Sequence, residues 1–266
     1  MTGVKYSMEN GVTFGICVGD NPTYLTKVVE SIENIRDLTA NNYEIIFMGE
    51  EGVEWYSHNF DAVKAVCKWS SVDLGLCAKK NWIAKAAKFD NVCIIHDYYQ
   101  FQPNWYEAMR NYPNPAWELM LCPVKTLEGH RSADWLVSPM IMDDMLEKRP
   151  DMAANLMAIA PHENGPKYVS GLPYDVTNMS HIQYVSGGYV LAKKKVFMEV
   201  PMNNKLDWGD AEDVEWSNRL NHNGVVFSMN TETEMKILKP NKWHCYQMSD
   251  EFLEVLKQEY GIWKQL

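Results

Sequence analysis

Short apolar runs separated by polar turns mark out the first half of the chain. Val12-Thr13-Phe14-Gly15-Ile16-Cys17-Val18, Tyr43-Glu44-Ile45-Ile46-Phe47-Met48 and Asn91-Val92-Cys93-Ile94-Ile95-His96 are each nearly continuous in apolar residues. Runs of this length bounded by turn residues fit strands covered on both faces. Residues 24–35 and 76–89 repeat their apolar positions with a helical period, and Gly19-Asp20-Asn21-Pro22 supplies a turn and a helix start. A third, short strand is expected at residues 62–67. Alternating buried strands and helices predict an α/β fold: a Rossmann-like domain with a mostly parallel central sheet flanked by helices. Ligands of such sheets meet the carboxyl ends of the strands.

The pattern loosens from residue 123 to about 180. Residues 140–156, rich in Met, Asp and Ala, fit a helix pair, and residues 161–175 hold three prolines and two glycines and read as loop. This segment is either an insertion shaping a ligand site or a plain structural excursion. Residues 181–191 return to strand, with Gly187-Gly188 near its end; 193–199 fit a short helix, 233–238 a late strand, and 250–260 a terminal helix capped by Gly261. No repeat, low-complexity tract or linker interrupts the chain. One domain over residues 1–266 is expected, with halves at about 1–122 and 181–266 around the 123–180 insertion.

Composition narrows the partners. The net charge of −10 argues against nucleic acid as the main one, and 46% hydrophobic content is ordinary for a chain that buries a core. The six cysteines are scattered with no CxxC pair, and Cys17 and Cys93 lie in apolar runs, where a thiol behaves as a small buried hydrophobe. The N-terminal residues lack a signal-peptide pattern, and no apolar run has the length of a transmembrane segment. A reduced, cytoplasmic, soluble chain is the expectation.

The chemistry concentrates in Leu206-Asp207-Trp208-Gly209-Asp210-Ala211-Glu212-Asp213-Val214-Glu215-Trp216-Ser217-Asn218-Arg219-Leu220. Asp210 stands where an N-cap is expected, Asp213 three residues on, and Glu215 and Arg219 are spaced i,i+4, so a helix is predicted to start near Ala211. The helix macrodipole alone explains one or two acids there. It does not explain Trp208-Gly209 before them or Gly187-Gly188 upstream. A carboxylate at a helix start beside glycines suits a general base that receives a hydroxyl proton. Asp97, just past a buried strand, occupies the position where such a sheet binds ligand, unless it merely caps a turn. Lys79 and Lys80, at a predicted helix start, either face a phosphate or are solvated.

Ser186-Gly187-Gly188-Tyr189, Trp208-Gly209 and Glu212-Asp213, taken in order, resemble the acceptor-side signature of glycosyltransferases with the GT-A fold. The likeness is to family 2 members, with a galactosyltransferase-like Trp-Gly…Glu-Asp motif. The resemblance implies transfer of a sugar from a UDP- or GDP-sugar to a carbohydrate or other hydroxyl acceptor. It implies Asp213 as the base of an inverting reaction, Glu212 on an acceptor hydroxyl or sharing that role, and Gly187, Gly188 and Trp208 on the acceptor; Trp208 serves equally as core packing. On the donor side it implies Val18, Gly19, Glu50, Asp97 and, in Gly75-Leu76-Cys77-Ala78-Lys79-Lys80-Asn81, Lys79, Lys80 and Asn81. It further implies Mn or Mg on the diphosphate, with Asp97 and His244 as ligands. Two positions depart from the pattern: Tyr99 stands where the second carboxylate of an Asp-x-Asp motif belongs, and Glu50 replaces an aspartate. His96, His130, His162 and His181 have no metal-ligand spacing. Rival readings are a retaining transferase of the same fold, a nucleotidyltransferase (no glycine-rich basic loop follows the first strand), and a carbohydrate-binding domain that has lost its metal chemistry.

Overall fold

The three apolar runs form the middle of the sheet: β1 (Val12–Cys17), β2 (Tyr43–Gly49) and β4 (Asn91–His96). The computed structural model describes residues 8–19, 23–49, 67–71, 75–114, 116–150, 171–174, 183–240 and 250–260. With β3 (Cys67–Ser71), β6 (Leu119–Leu121), β10 (Tyr189–Lys193) and β11 (Phe227–Met229), these strands build a seven-stranded sheet in the order β11-β6-β10-β4-β1-β2-β3. The pairs β1–β2, β1–β4, β2–β3 and β6–β11 are parallel, while β10 runs antiparallel to both β4 and β6. Because β1 has β2 on one side and β4 on the other, the connections leaving β1 and β4 diverge and open a crevice at their carboxyl ends.

Helices cover this sheet, which is why its central strands carry almost no polar residues. Every residue of β1 and β2 is buried. Side chains such as Phe14, Ile16, Ile45 and Phe47 are fully buried, each worth about 1.5–3 kcal/mol relative to exposure. Helix α1 (Leu25–Glu33) buries Leu25, Val28, Val29 and Ile32, spaced as one helical stripe. Helix α2 (Leu76–Ala86) buries Cys77, Lys79, Lys80, Ile83 and Ala84. It lies so close to β1 that a Cβ on Gly15 would fall 2.2 Å from Ile83 Cγ2. The other α-helices among the described residues are α3 (Trp105–Arg110), α4 (Pro139–Lys148), α5 (Lys194–Glu199), α6 (Glu212–His222) and α7 (Asp250–Tyr260).

Two small sheets flank the large one: β5 (Tyr99–Phe101), β12 (Met235–Ile237) and β7 (Val124–Thr126) in the order β5-β12-β7, and β8 (Trp135–Val137) paired with β9 (Gln183–Val185). Asp134 ties the second half together. Its buried carboxylate accepts from the Val124 and Trp135 amides, the Arg131 guanidinium and the Tyr174 hydroxyl.

The mostly parallel sheet matches the sequence expectation, and four boundaries differ. The third strand lies at Cys67–Ser71, C-terminal to the expected 62–67, of which 62–66 are outside the described residues. Helix α2 stops at Ala86 because Ala87 is extended (φ −54°, ψ 133°). Residues 181–191 are two strands in different sheets, broken at 186–188, not one. The expected helix pair over 140–156 contains the single helix α4, with residues 151–156 outside the described ones. Cys17, Cys77, Cys93 and Cys122 are buried and free; burial pushes the Cys17 thiol up to about 11. No helix among the described residues is long and apolar enough to cross a membrane.

The Gly15–Ile83 contact leaves no room for a methyl group. Gly15→Ala should lower stability in urea unfolding by about 1–3 kcal/mol. Ile83→Ala removes the opposing atoms, so the double variant should lose less than the sum of the two singles. Additive losses would mean that the two residues do not share this space.

Candidate active site

The parallel register aligns Cys17 with His96, so the residues just past them meet at the carboxyl edge of the sheet. There the Gly19 amide donates to Asp97 Oδ2 at 2.9 Å. Asp97 is buried, which raises its pKa, while the Gly19 amide and the Lys239 ammonium pull the other way. The antiparallel strand β10 starts at this same edge: Tyr189 faces Ile95, and the His96 amide donates to the Gly188 carbonyl at 3.1 Å. The Ser186-Gly187-Gly188 turn is thereby placed next to the Asp97 corner.

Helix α6 enters from the other side. Gly209 (φ +93°) and Ala211 (φ +56°) turn the chain sharply, and the left-handed Ala211 precedes the first helical residue, Glu212. For an alanine that backbone costs roughly 1–2 kcal/mol. The expected Asp210 cap is not formed. The turn points its carboxylate back to the Asp207 amide, 2.9 Å away, and no side chain caps the helix. Asp213 instead divides its oxygens between two amides, Oδ1 accepting from Val214 at 2.8 Å and Oδ2 from Gly187 at 3.0 Å. The expected Glu215–Arg219 pair is present, with Nε 2.6 Å from Oε1.

The Gly187 peptide is held on both sides. Its N–H donates to Asp213 and its carbonyl accepts from Lys80 Nζ at 2.9 Å. Lys80 is buried, and its Nζ lies 4.0 Å from Glu212 Oε1. A Cβ on Gly187 would come within 2.9 Å of Lys80 Nζ and 3.2 Å of Glu212 Oε1; one on Gly188 would sit 2.3 Å from the Tyr99 hydroxyl. At Gly188 the buried Tyr99 ring leaves no room for a Cβ, and at Gly187 a Cβ would make the ends of Lys80 and Glu212 shift out of this arrangement. Burial, reinforced by the charge of Asp213 and opposed by Lys80, pushes the Glu212 carboxyl up to about 7. Burial also raises Asp213, against the Gly187 amide and Lys80. Two adjacent carboxylates raised toward neutrality are placed to exchange a proton with a bound hydroxyl.

Asp207, which sequence reading left without a role, joins this loop to helix α2. Its Oδ1 accepts from the Leu76 amide at 2.8 Å and the Trp208 amide at 2.7 Å, which holds its carboxyl below the usual range. Lys79 and Lys80 are both buried in the first turn of α2, not solvated. Trp208 is 61% exposed, which excludes core packing and leaves its ring at the surface. Val18 is buried, with its amide on the Met48 carbonyl, and serves to place Gly19. Asn81 is not brought to the cluster. Its amide is spent on Met202 and Asn204, tying α2 to the segment after α5. Glu50 and His244 lie outside the described residues.

Beside Asp97, Tyr98 donates or accepts at His96 Nδ1 (2.8 Å), and Lys239 Nζ lies 3.6 Å from the Tyr98 ring centroid. His96 is kept well below its usual pKa by burial, and its Nε2 has no hydrogen-bond partner among the described residues. Tyr99 is buried and stacks on Tyr189, so the residue in the second-carboxylate position is a core side chain. Among the described residues no group of three or more His, Cys, Asp or Glu could hold a metal ion. Of the two expected metal ligands the described residues hold only Asp97, whose carboxylate accepts from Gly19 and lies near the Lys239 ammonium, and one carboxylate does not by itself make a divalent-cation site. A cavity of about 640 Å³, lined by residues including Arg36, Asn104, Glu107 and Asn230, shares no residue with this cluster.

No protein-family model matches the sequence, and no curated protein does. Solved structures match its fold. The chain is similar to the mannosyltransferase PcManGT from Pyrobaculum calidifontis, solved with GDP-Man and Mn2+, with a TM-score of 0.55 at 10% identity over 86% of this chain and 57% of that one. It is also similar to S. aureus TarS 1-349 in complex with UDP, with a TM-score of 0.52 at 10% identity over 93% of this chain and 63% of that one. A second crystal structure of S. aureus TarS 1-349 gives a TM-score of 0.50 at 11% identity over 92% of this chain and 64% of that one. The chain thus spans about 57–64% of the length of the structures it matches. The architecture is a GT-A-like glycosyltransferase fold.

The raised Glu212 pKa has a consequence for stability. Folding binds a proton at Glu212 between about 4.5 and about 7, so the stability this group contributes is full below about 4.5 and is lost as pH rises through about 7. Glu212→Gln cannot ionise. Its stability relative to the parent should therefore improve from pH 5 to about pH 7 and level off above that in parallel urea titrations; a pH-independent difference would contradict the raised pKa of the buried carboxyl.

Proposed function

We propose that the chain is a nucleotide-sugar-dependent glycosyltransferase that moves a sugar to a hydroxyl acceptor with inversion. The observation that carries this is Asp213, a carboxylate of raised pKa fixed over the Gly187 turn at the same sheet edge as Asp97. Inverting transfer needs a base on one face of the anomeric carbon and charge stabilisation for the diphosphate on the other. The acceptor oxygen forms the new bond to the anomeric carbon, the bond to the diphosphate oxygen breaks with its electron pair, and the hydroxyl proton passes to Asp213. Glu212 binds a neighbouring acceptor hydroxyl, and the exposed Trp208 ring offers a face to the sugar. Lys80 acts through Gly187 and Glu212 as a positioning residue.

On the donor side, Gly19, Asp97 and the first turn of α2 with Lys79 face the nucleotide, a UDP- or GDP-sugar by analogy with the ligands named for TarS and PcManGT. The Mn2+ in the PcManGT structure supports a divalent cation for the donor diphosphate, with Asp97 and His244 as its expected ligands. The described residues supply Asp97 alone, and no step is assigned to a metal. The buried free thiols support a reducing, cytoplasmic setting. Tyr99 favours the rival reading of a binding domain without turnover, and one variant separates the two.

Asp213→Asn keeps the side chain's size and one of its two amide contacts. The fold should survive with a loss of about 1 kcal/mol. Transfer should fall by roughly 10²–10⁴-fold while nucleotide affinity stays near that of the parent. Full activity in Asp213→Asn together with loss in Glu212→Gln would move the base to Glu212. Unchanged turnover in both would exclude inverting catalysis by this pair.

A further inference from the structure

Long-range strand pairing places one cation at the Asp97 corner. β12 runs antiparallel to β5, with Ile237 facing Tyr99, and the Leu238 amide donates to the Tyr98 carbonyl at 2.9 Å. The next residue, Lys239, is thereby set beside Asp97-Tyr98. Its ammonium lies 3.6 Å from the centroid of the Tyr98 ring, and that ring is fixed in turn by His96 Nδ1 at 2.8 Å from its hydroxyl. A lysine packed on an aromatic face is pre-ordered at little further entropy cost. No described carboxylate closes an ion pair with Lys239; Asp97 acts on it only as a nearby charge.

A leaving diphosphate needs positive charge at this corner. The side chains for a two-carboxylate metal site are incomplete here, since Tyr99 is buried in the core where the second acid belongs. We propose that Lys239 is the cation that meets the donor's diphosphate, in place of a divalent metal held between two carboxylates. The proposal rests on the transferase reading above. Burial lowers the Lys239 pKa, and an entering phosphate supplies the anionic partner that no described residue provides.

Calorimetry with UDP, GDP, uridine and guanosine in EDTA tests it on the full chain. The parent should bind UDP or GDP without metal. Lys239→Gln should weaken that binding by on the order of tenfold or more, whereas Lys239→Arg should retain it within a few-fold. Binding of the matching nucleoside should be unchanged in both variants, a split that a packing role on Tyr98 would not produce. Equal weakening of nucleoside and diphosphate would overturn the proposal, as would diphosphate binding that requires Mn and is indifferent to Lys239→Gln. If neither UDP nor GDP binds the parent with or without Mn, the donor-site reading fails together with this one.

Discussion

Everything at the site depends on one residue that has no side chain. The Gly187 N–H is taken by Asp213 and its carbonyl by Lys80, so α6, α2 and the start of β10 meet at a single residue. A methyl group there would collide with Lys80 and Glu212. The sheet makes this meeting possible because β10 runs against its neighbours. Its entry turn therefore lies at the edge where the parallel strands β1 and β4 end. Had β10 been parallel, its start would sit at the opposite edge, away from Asp97.

Competing electrostatic terms set the chemistry on each side of that turn. Two opposite charges 4 Å apart attract by roughly 4 kcal/mol at the effective dielectric of a protein surface. Lys80 stands at 4.0 Å from Glu212, yet the Glu212 carboxyl goes up, not down. Desolvation and the adjacent Asp213 outweigh the lysine, which also gives a hydrogen bond to the Gly187 carbonyl. At the other corner Asp97 rises for the same reason, with Gly19 and Lys239 opposing. The two corners differ in what they lack. The Glu212–Asp213 corner holds more carboxylate than cation; at the Asp97–Lys239 corner no described residue closes an ion pair with the ammonium.

Much of the fold was legible because its strands are buried on both faces. Continuous apolar runs located β1, β2 and β4 within a residue of their ends. Weaker signals failed where backbone geometry or distant pairing decides. A left-handed alanine at 211 moved the Asp210 carboxylate off the helix, and no composition rule anticipates that. Residues 181–191 read as one strand with two glycines near its end, and nothing local showed that strands of two different sheets meet at 186–188. Glu212 and Asp213 were readable from their place after Trp208-Gly209. Asp207 and Lys239 were not, since what distinguishes them is the Leu76 amide, 131 residues away in sequence, and the pairing of β12 with β5. Asn81 looked like a donor contact from its neighbours in sequence, and the structure uses it to tie α2 to Met202 and Asn204.

Backbone amide hydrogen exchange with and without UDP or GDP tests the central claim that the carboxyl edge of β1 and β4 receives a nucleotide. The account predicts added protection at Gly19, at Tyr98 and Tyr99, and through the first turn of α2 beginning at Leu76, with α7 unchanged. Protection confined to the cavity between α3 and the end of β11, or no protection anywhere, would contradict it.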